Sequence, residues 1–481
     1  MVISTQTSNH TNNHTSEIPS ALRDKYVKAG QEHIFRWIDS LDSSELARFL
    51  AQLETFDIEQ VMKDFKASKD AAKEMTSRLQ PAPLQATDVI HDDDHGKFWT
   101  IGLSAIKRGK VAVVTLAGGQ GTRLGSSAPK GCFNIGLPSQ MSLFEMQALR
   151  LRKLIKLADA KELLWYIMTS AATHKATVDF FTTNNFFGLG EGGVKFFKQG
   201  ELPALTEEGK IILKDKESLA LSPNGNGGIY AALKEEGVLA ELKTAGVEFV
   251  HMYCVDNALV RIGDPTFIGA CIEKGTDCAA KTIKKTDPSE SVGVFCRRQD
   301  GKMAVAEYSE FDANMAEKTD RDGNLVFNHA NIANHFFSIP FLEKCANLSL
   351  PTHLARKKIP SIDEAGNPIK TALMGMKLEK FIFDVFEHGE KPVVYQGDRD
   401  QEFSPLKNAA GADCDSPDHC RKAVLDLHGK WLIQAGAIVE GEVEISPLIS
   451  YGGEGLEAWK GKKVSGRNME LLAGTRLSPS N

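Results

Sequence analysis

Between Val111 and Gly131 the chain reads VAVVTLAGGQGTRLGSSAPKG, an apolar run that passes straight into glycines at 118, 119, 121 and 125. Few folds accept such a segment. A buried strand ending in glycines lets backbone N–H groups close on an anionic ligand at the strand's end, because no Cβ stands in the way. The surrounding grammar agrees, since VAVVTLA is followed by SLFEMQALRLRKLIKLA, then LLWYIMTS, and later VEFVHMYCVDN. Short β-rich runs alternating with amphipathic helices predict βαβ units and a parallel, doubly wound α/β sheet.

The glycine loop is neither of the two commonest phosphate loops. A Walker A loop places lysine after a glycine and before Ser or Thr, whereas Lys130 follows Pro129 and precedes Gly131. A dinucleotide fingerprint read from Gly119 and Gly121 finds Leu124 where its third glycine belongs. Arg123 and Lys130 flank the loop with the charge a triphosphate requires, so the loop is expected to hold nucleotide phosphates. Asp256 follows an apolar strand, where open α/β sheets place ligands and where a carboxylate for Mg²⁺ would sit.

At 481 residues the chain exceeds the usual size of a single core, and the pattern divides it in three. Residues 1–95 read as a polar arm followed by a helical domain, with apolar positions three and four apart and N-cap chemistry at Asp42-Ser43-Ser44-Glu45. Residues 96–410 carry the α/β pattern. Residues 411–481 read as a small β-rich domain of short strands and glycine turns.

A net charge of -6 offers no general attraction to nucleic acid or to a membrane surface, so a phosphorylated ligand must be held by a few placed cations. No apolar run approaches the roughly 20 residues of a spanning helix, and the first residues resemble no secretory signal. A cytoplasmic chain is expected. Asn9 and Asn13 match the glycosylation pattern but fall in the polar arm. The eight cysteines show no paired framework, which predicts reduced thiols. HDDDH (91–95) and DCDSPDHC (413–420) are read as polar loops rather than metal sites.

LAGGQGTRLG followed by PKG resembles the signature of the sugar-nucleotide pyrophosphorylases. FFKQGELPAL (196–205), PNGNGGIYAAL (223–233), HMYCVDNAL (251–259), ANIANHFFS (330–338), KLEKFIFDVF (377–386) and EFSPLKNA (402–409) are similar to the eukaryotic UDP-N-acetylglucosamine pyrophosphorylases, in matching order. The resemblance implies a Rossmann-like nucleotidyltransferase domain that joins UTP to N-acetylglucosamine 1-phosphate, giving UDP-N-acetylglucosamine and pyrophosphate with Mg²⁺. A monomer or homodimer is expected. The implied UTP contacts are Leu116, Ala117, Gly118, Gly119, Lys130, Gln199, Gly225 and Lys377. The implied sugar-phosphate contacts are Asn226, Glu307, Asn331, Phe381, Phe383 and Lys407. Arg123, Lys130 and Lys407 are the expected catalytic cations and Asp256 the expected metal ligand. Asn224 and Ala330 stand where the family more often has Asp and Gly, and the Ala330 methyl is expected beside Asn331. A uridylyltransferase for N-acetylgalactosamine or glucose 1-phosphate, or an inactive nucleotide-binding scaffold, is the alternative.

Overall fold

The computed structural model describes residues 18–78, 81–92, 94–308, 313–465 and 469–471. The polar arm and Asp93 of the acidic run lie outside them. The described residues form two compact units, one drawn from the spans 1–75, 200–228 and 350–381, the other from 76–199, 229–349 and 382–481. The units are therefore drawn otherwise than at residues 95 and 410.

In the first unit, helices α1 (Ser20–Lys28), α2 (Ser43–Glu54) and α3 (Ile58–Arg78) supply the expected helical segment. Asp42 and Glu45 close a reciprocal cap on α2, each side chain accepting the other's backbone N–H at 2.8 Å. Leu46, Phe49 and Leu53 recur on one face and are buried with Tyr26, Ile34, Leu205 and Leu378. Each such side chain contributes about 1.5–3 kcal/mol by leaving water. The helices need partners from far along the chain to bury that face. These partners are two antiparallel strand pairs, Glu201–Pro203 with Leu221–Pro223 and His353–Ile359 with Leu373–Glu379. Buried Gln31 fastens the two segments, donating to Gly209 O at 2.9 Å and accepting from Ile211 N–H at 2.8 Å.

The second unit is built on a ten-stranded sheet. Its strands are β1 (Val89–Ile90), β2 (Val111–Leu116), β3 (Trp165–Thr169), β4 (Val194–Lys198), β5 (Phe249–Cys254), β6 (Cys278–Lys284), β7 (Val294–Arg297), β8 (Met303–Ala306), β9 (His329–Ser338) and β10 (Val393–Gly397). The order is β1-β10-β6-β9-β5-β2-β3-β4, with β7 joining β8 and β9. All neighbours along the main path are parallel except β9, which runs antiparallel to both β5 and β6. The expected parallel α/β sheet is present, with β9 reversed on the main path and β8 reversed in the antiparallel extension through β7.

The sequence β2, β3, β4 proceeds to one side and β5 returns to the other side of β2. The order thus reverses between β2 and β5, and in an open α/β sheet ligands bind beyond the carboxyl ends of the strands at such a point. Every residue of β2 is buried, including Thr115, whose hydroxyl is satisfied by the Trp165 indole at 2.7 Å. Helix α4 (His95–Lys107) crosses α6 (Pro265–Lys274) at backbone contact; α5 is Leu143–Leu157. A Cβ on Gly102 would stand 2.0 Å from Pro265 O, and one on Gly269 would stand 1.9 Å from Phe98 O. No other residue fits at either crossing point.

The C-terminal region opens with a helix that was not anticipated, α7 (Pro417–Gln434), before two parallel pairs of three-residue strands. Trp431, Leu432, Val443 and Ile445 share a core with Ile135, Leu137, Leu143 and Met146. So short a strand set cannot close a core alone, and it completes one by packing on residues 135–146 of the same unit. No helix among the described residues is long and apolar enough to cross a membrane.

Candidate active site at the sheet reversal

β2 and β5 are adjacent and parallel, with Leu116 opposite Cys254. Leu116 and Ala117 are buried, and Ala117 N–H bonds to Met168 O at 2.8 Å, so the strand continues one residue beyond its named end. The loop then doubles back on itself. Gly121 N–H bonds to Ala128 O at 3.0 Å and Lys130 N–H to Gly119 O at 3.1 Å, which brings Lys130 back to the strand's end. Arg123 lies exposed in a tight turn that Gly125 closes at φ 74°.

Two glycines here have steric reasons. A Cβ on Gly118 would lie 2.5 Å from Gln199 Nε2, and one on Gly131 would lie 2.2 Å from the Phe144 ring. Gln199 is itself nearly buried, its N–H bonded to Thr169 O at 2.8 Å, so its carboxamide is pressed against the loop. Gly119 meets nothing within 4 Å of such a position. Ser170 went unnoticed in the sequence, yet its hydroxyl donates to Gly118 O at 2.8 Å and pairs with Thr173 Oγ1 at 3.0 Å. Its signal was a small polar residue directly after a buried strand.

From the other strand end, Asp256 Oδ2 meets Lys130 Nζ at 3.2 Å, with the two side chains 22% and 19% exposed. The sequence placed these residues 126 apart, and the structure brings them together. Lys407 follows Leu406, whose N–H bonds to Asp256 O at 2.8 Å, and its Nζ stands 3.8 Å from Asp415 Oδ2.

Glu307 and Asn331 both adjoin Gly293. A Cβ there would lie 2.9 Å from Glu307 Oε1, and Asn331 N–H bonds to Gly293 O at 2.9 Å. A bulge in β9 separates Asn331, opposite Thr282, from Asn334, opposite Lys281. Ala333 takes a left-handed conformation in that bulge, φ 50°, and donates its N–H to Asn331 Oδ1 at 3.0 Å. The Ala330 methyl does not lie on the Asn331 face as expected. Strand alternation turns it into a buried apolar cluster with Ile283 and Ile332.

The remaining candidates divide between the units. In the first unit, Gly225 has φ 86°, and a Cβ on it would lie 2.4 Å from Lys380 O, so PNGNGG is wedged against residues 379–381. Asn226 opens a single helical turn, Asn226–Gly228. Lys377 is half-buried on the strand Leu373–Glu379, and the Phe381 ring stacks on His353 with centroids 4.1 Å apart. Phe383 belongs to the second unit and is 9% exposed.

Beneath the site lies an ionic cluster that the sequence did not announce. Fully buried Lys281 bonds Asp264 Oδ2 at 2.5 Å and Glu402 Oε1 at 2.9 Å, with Arg261 3.9 Å from Glu402. Burial alone would push the Asp264 carboxyl up, but Lys281 and Arg261 outweigh it and hold the group well below the usual carboxylate range. Burial pushes the Glu402 carboxyl up despite the same lysine. Among the described residues no group of three or more His, Cys, Asp or Glu is arranged to hold a metal. In DCDSPDHC, Cys420 is buried and Cys414 exposed, and Ser416 caps α7 while bonding His419 Nδ1 at 2.7 Å.

A sheet that reverses its order beside a glycine loop, with a lysine and a carboxylate at the two strand ends, defines a nucleotidyltransferase fold. Residues 58–427 match the family described as UTP–glucose-1-phosphate uridylyltransferase, and the chain belongs to that family. It is 41% identical to the UDP-N-acetylhexosamine pyrophosphorylase-like protein 1 of Mus musculus, covering 93% of this chain and 95% of that one. It is likewise 41% identical to the UDP-N-acetylglucosamine pyrophosphorylase of Saccharomyces cerevisiae, covering 91% and 96%. The crystal structure of the uridine diphosphate N-acetylglucosamine pyrophosphorylase from Trypanosoma brucei superposes with a TM-score of 0.80 at 32% identity, over 91% of this chain and 94% of that one.

Proposed function

We propose that the chain is a UTP:N-acetylglucosamine-1-phosphate uridylyltransferase. A phosphate oxygen of the sugar phosphate attacks the α-phosphorus of UTP. The new P–O bond forms as the bond from the α-phosphorus to the oxygen bridging the β-phosphorus breaks, and pyrophosphate leaves with that electron pair. The observation that carries the reading is the Lys130–Asp256 pair beside the glycine loop at the reversal point of the sheet. The names of relatives that match over nine-tenths of the chain support the same substrates.

Two polyanions must be brought together and a third released, so the protein's work is positioning and positive charge. In this reading Leu116, Ala117, Gly118 and Gly119 hold the nucleotide. The Gln199 carboxamide reads the uracil edge, which presents both a donor and an acceptor. Arg123 and Lys130 neutralise the triphosphate and the departing pyrophosphate. Asn331 has its Oδ1 occupied by Ala333 N–H, so it offers the sugar its amide donors, while Glu307 accepts from a hydroxyl. Lys407 adds charge to the phosphate cluster. Gly225 and Lys377 for UTP, and Asn226, Phe381 and Phe383 for the sugar phosphate, are assigned by family resemblance alone.

A single carboxylate at a strand end suits Mg²⁺, which takes one or two protein oxygens and completes its shell with phosphate oxygens and water. Asp256 would hold it, and the ion would supply charge neutralisation between the phosphates.

Pyrophosphate release with UTP, Mg²⁺ and a panel of sugar 1-phosphates tests the reading. N-acetylglucosamine 1-phosphate should exceed glucose 1-phosphate in kcat/KM. The family's own description favours glucose as the second reading. Equal or faster reaction of glucose 1-phosphate would overturn the amino-sugar assignment, and no release with any sugar would overturn uridylyl transfer.

A further inference from the structure

Directly after Asp256 stands Asn257, a residue given no role above, and its carboxamide is spent on one task. Nδ2 donates to Glu402 O at 2.6 Å, and Oδ1 accepts the N–H of Ser404 at 2.9 Å and of Leu259 at 3.2 Å. The residue is 4% exposed. It therefore ties the end of β5 to residues 402–404, segments that lie 145 positions apart in the chain. Two backbone bonds continue the tie, Ala258 N–H to Ser404 O at 3.0 Å and Leu406 N–H to Asp256 O at 2.8 Å. Lys407 is the next residue.

The chemistry of this tie is narrow. Two N–H groups and one carbonyl must be satisfied by one short planar side chain, and only a carboxamide offers both an acceptor and a donor at that length. An apolar replacement would leave buried backbone groups unpaired. The segment is anchored elsewhere too, by the Glu402 ion pair with Lys281 five positions before Lys407 and by the N–H groups of Lys407 and Asn408 on Asp415 O at 2.8 and 3.0 Å, but neither of these anchors reaches the strand end that bears Asp256. Asn257 is the side chain that joins the strand end bearing Asp256 to the segment bearing Lys407.

We propose that Asn257 is a positioning residue that fixes Lys407 relative to Asp256 and its partner Lys130, so that all three charges address one phosphate cluster. The inference rests on the proposed uridylyl transfer, and on Lys407 taking part in it. Asn257 touches no reacting atom. Its effect passes through Lys407, which separates it from a residue that only stabilises the fold.

The test is a double-mutant cycle on the full chain, read as pyrophosphate release. Asn257→Ser should lower kcat by about 10- to 100-fold while changing each KM by less than about 3-fold. In a Lys407→Ala background the same substitution should cost less than about 3-fold, because the lysine it positions is gone. Losses that simply multiply, or an Asn257→Ser enzyme with wild-type kcat, would overturn the proposal. If Asn257→Ser shows no cooperative thermal transition, the isosteric Asn257→Asp, which keeps both accepted bonds and loses the donated one, goes through the same cycle; multiplying losses or a wild-type kcat would overturn the proposal there too. A wild-type chain that releases no pyrophosphate refutes the proposed function and this inference together. An active wild type with multiplicative losses refutes the positioning role alone.

Discussion

Replacing Gly118 by alanine adds one methyl at the point where the glycine loop meets Gln199. The new Cβ would lie 2.5 Å from Gln199 Nε2 and 3.0 Å from its Cδ. Ordinary contact needs about 3.5 Å, so the carboxamide must retreat by about 1 Å. Gly118 does not have a left-handed backbone, so alanine meets no conformational barrier there. The displaced atoms are the tip of a flexible side chain, and the fold should therefore survive with little change in Tm. Function should not. If Gln199 reads uracil, moving its amide forfeits one or both base contacts, worth about 1–3 kcal/mol, or about 5- to 150-fold in kcat/KM for UTP. A 1 Å misplacement of a substrate-positioning group is known to cost about that much. The assay is initial-rate pyrophosphate release across UTP concentrations for wild type, Gly118→Ala, Gln199→Ala and the double variant. The two single losses should be similar, and the double variant should be little worse than either. A Gly118→Ala enzyme with wild-type kcat/KM for UTP would refute the contact, and a double variant showing the full product of both losses would refute the shared cause.

Lys130→Ala should lower kcat by about 10²-fold or more, a loss of about 3 kcal/mol of charge stabilisation, with a smaller change in KM for UTP; an unchanged kcat removes Lys130 from the mechanism. Asp256→Asn should raise the Mg²⁺ concentration needed for half-maximal rate, and full wild-type activity in excess chelator would contradict a metal requirement. Burial pushes the imidazoles of His251 and His329 down to about 4 and those of His335 and His428 down to about 3. The unfolded chain takes up these protons near pH 6.5, so stability is fully present above about that pH and falls as pH drops toward about 4, by up to about 1.4 kcal/mol per pH unit for each imidazole. Glu402, its carboxyl raised by burial, works in the opposite direction as one group against four. A Tm that is level or rising from about pH 7 to about pH 5 would contradict the four neutral histidines. Ala330→Gly should cost about 0.5–1 kcal/mol of stability through backbone entropy while leaving the ratio of sugar substrates unchanged. A shifted ratio would mean that the methyl acts on the Asn331 face after all.

What the sequence revealed and what it hid follow from the range of the forces involved. β2, its glycine loop and α5 were legible because apolar runs, period and glycines act within a dozen residues. Asp42 and Glu45 announced their cap for the same reason. The helix Pro417–Gln434 is missed when residues 411–481 are read as short strands and glycine turns, although Ser416 before Pro417 is a start signal. The pairings of Gln31 with residues 209–211, Lys281 with Glu402 and Asn257 with residues 402–404 join segments more than a hundred positions apart. Nothing local distinguishes such residues from solvated ones. The misplaced Ala330 methyl is of a different kind, since alternation along β9 would have turned it away from Asn331 had the strand's register been applied.

Charge at the site has a logic that net charge alone does not supply. A chain at -6 repels polyanions on average, yet the proposed reaction needs two of them in one place. Lone buried cations would be costly before any ligand arrives. Here Lys130 is met by Asp256 at 3.2 Å and Lys407 by Asp415 at 3.8 Å, so each lysine carries its own counter-charge while the site holds no phosphate. Neither pair is deeply buried, the four side chains being 19% to 44% exposed, so neither is so strong that a phosphate could not compete for the lysine. In the proposed reaction a triphosphate would exchange one anionic partner for another at nearly constant local charge, and Asp256, freed from Lys130, would be the residue to hold Mg²⁺. Asp256, which shields Lys130, is thus the same group that the proposed mechanism would need for the metal, so the two roles would meet in a single ion pair.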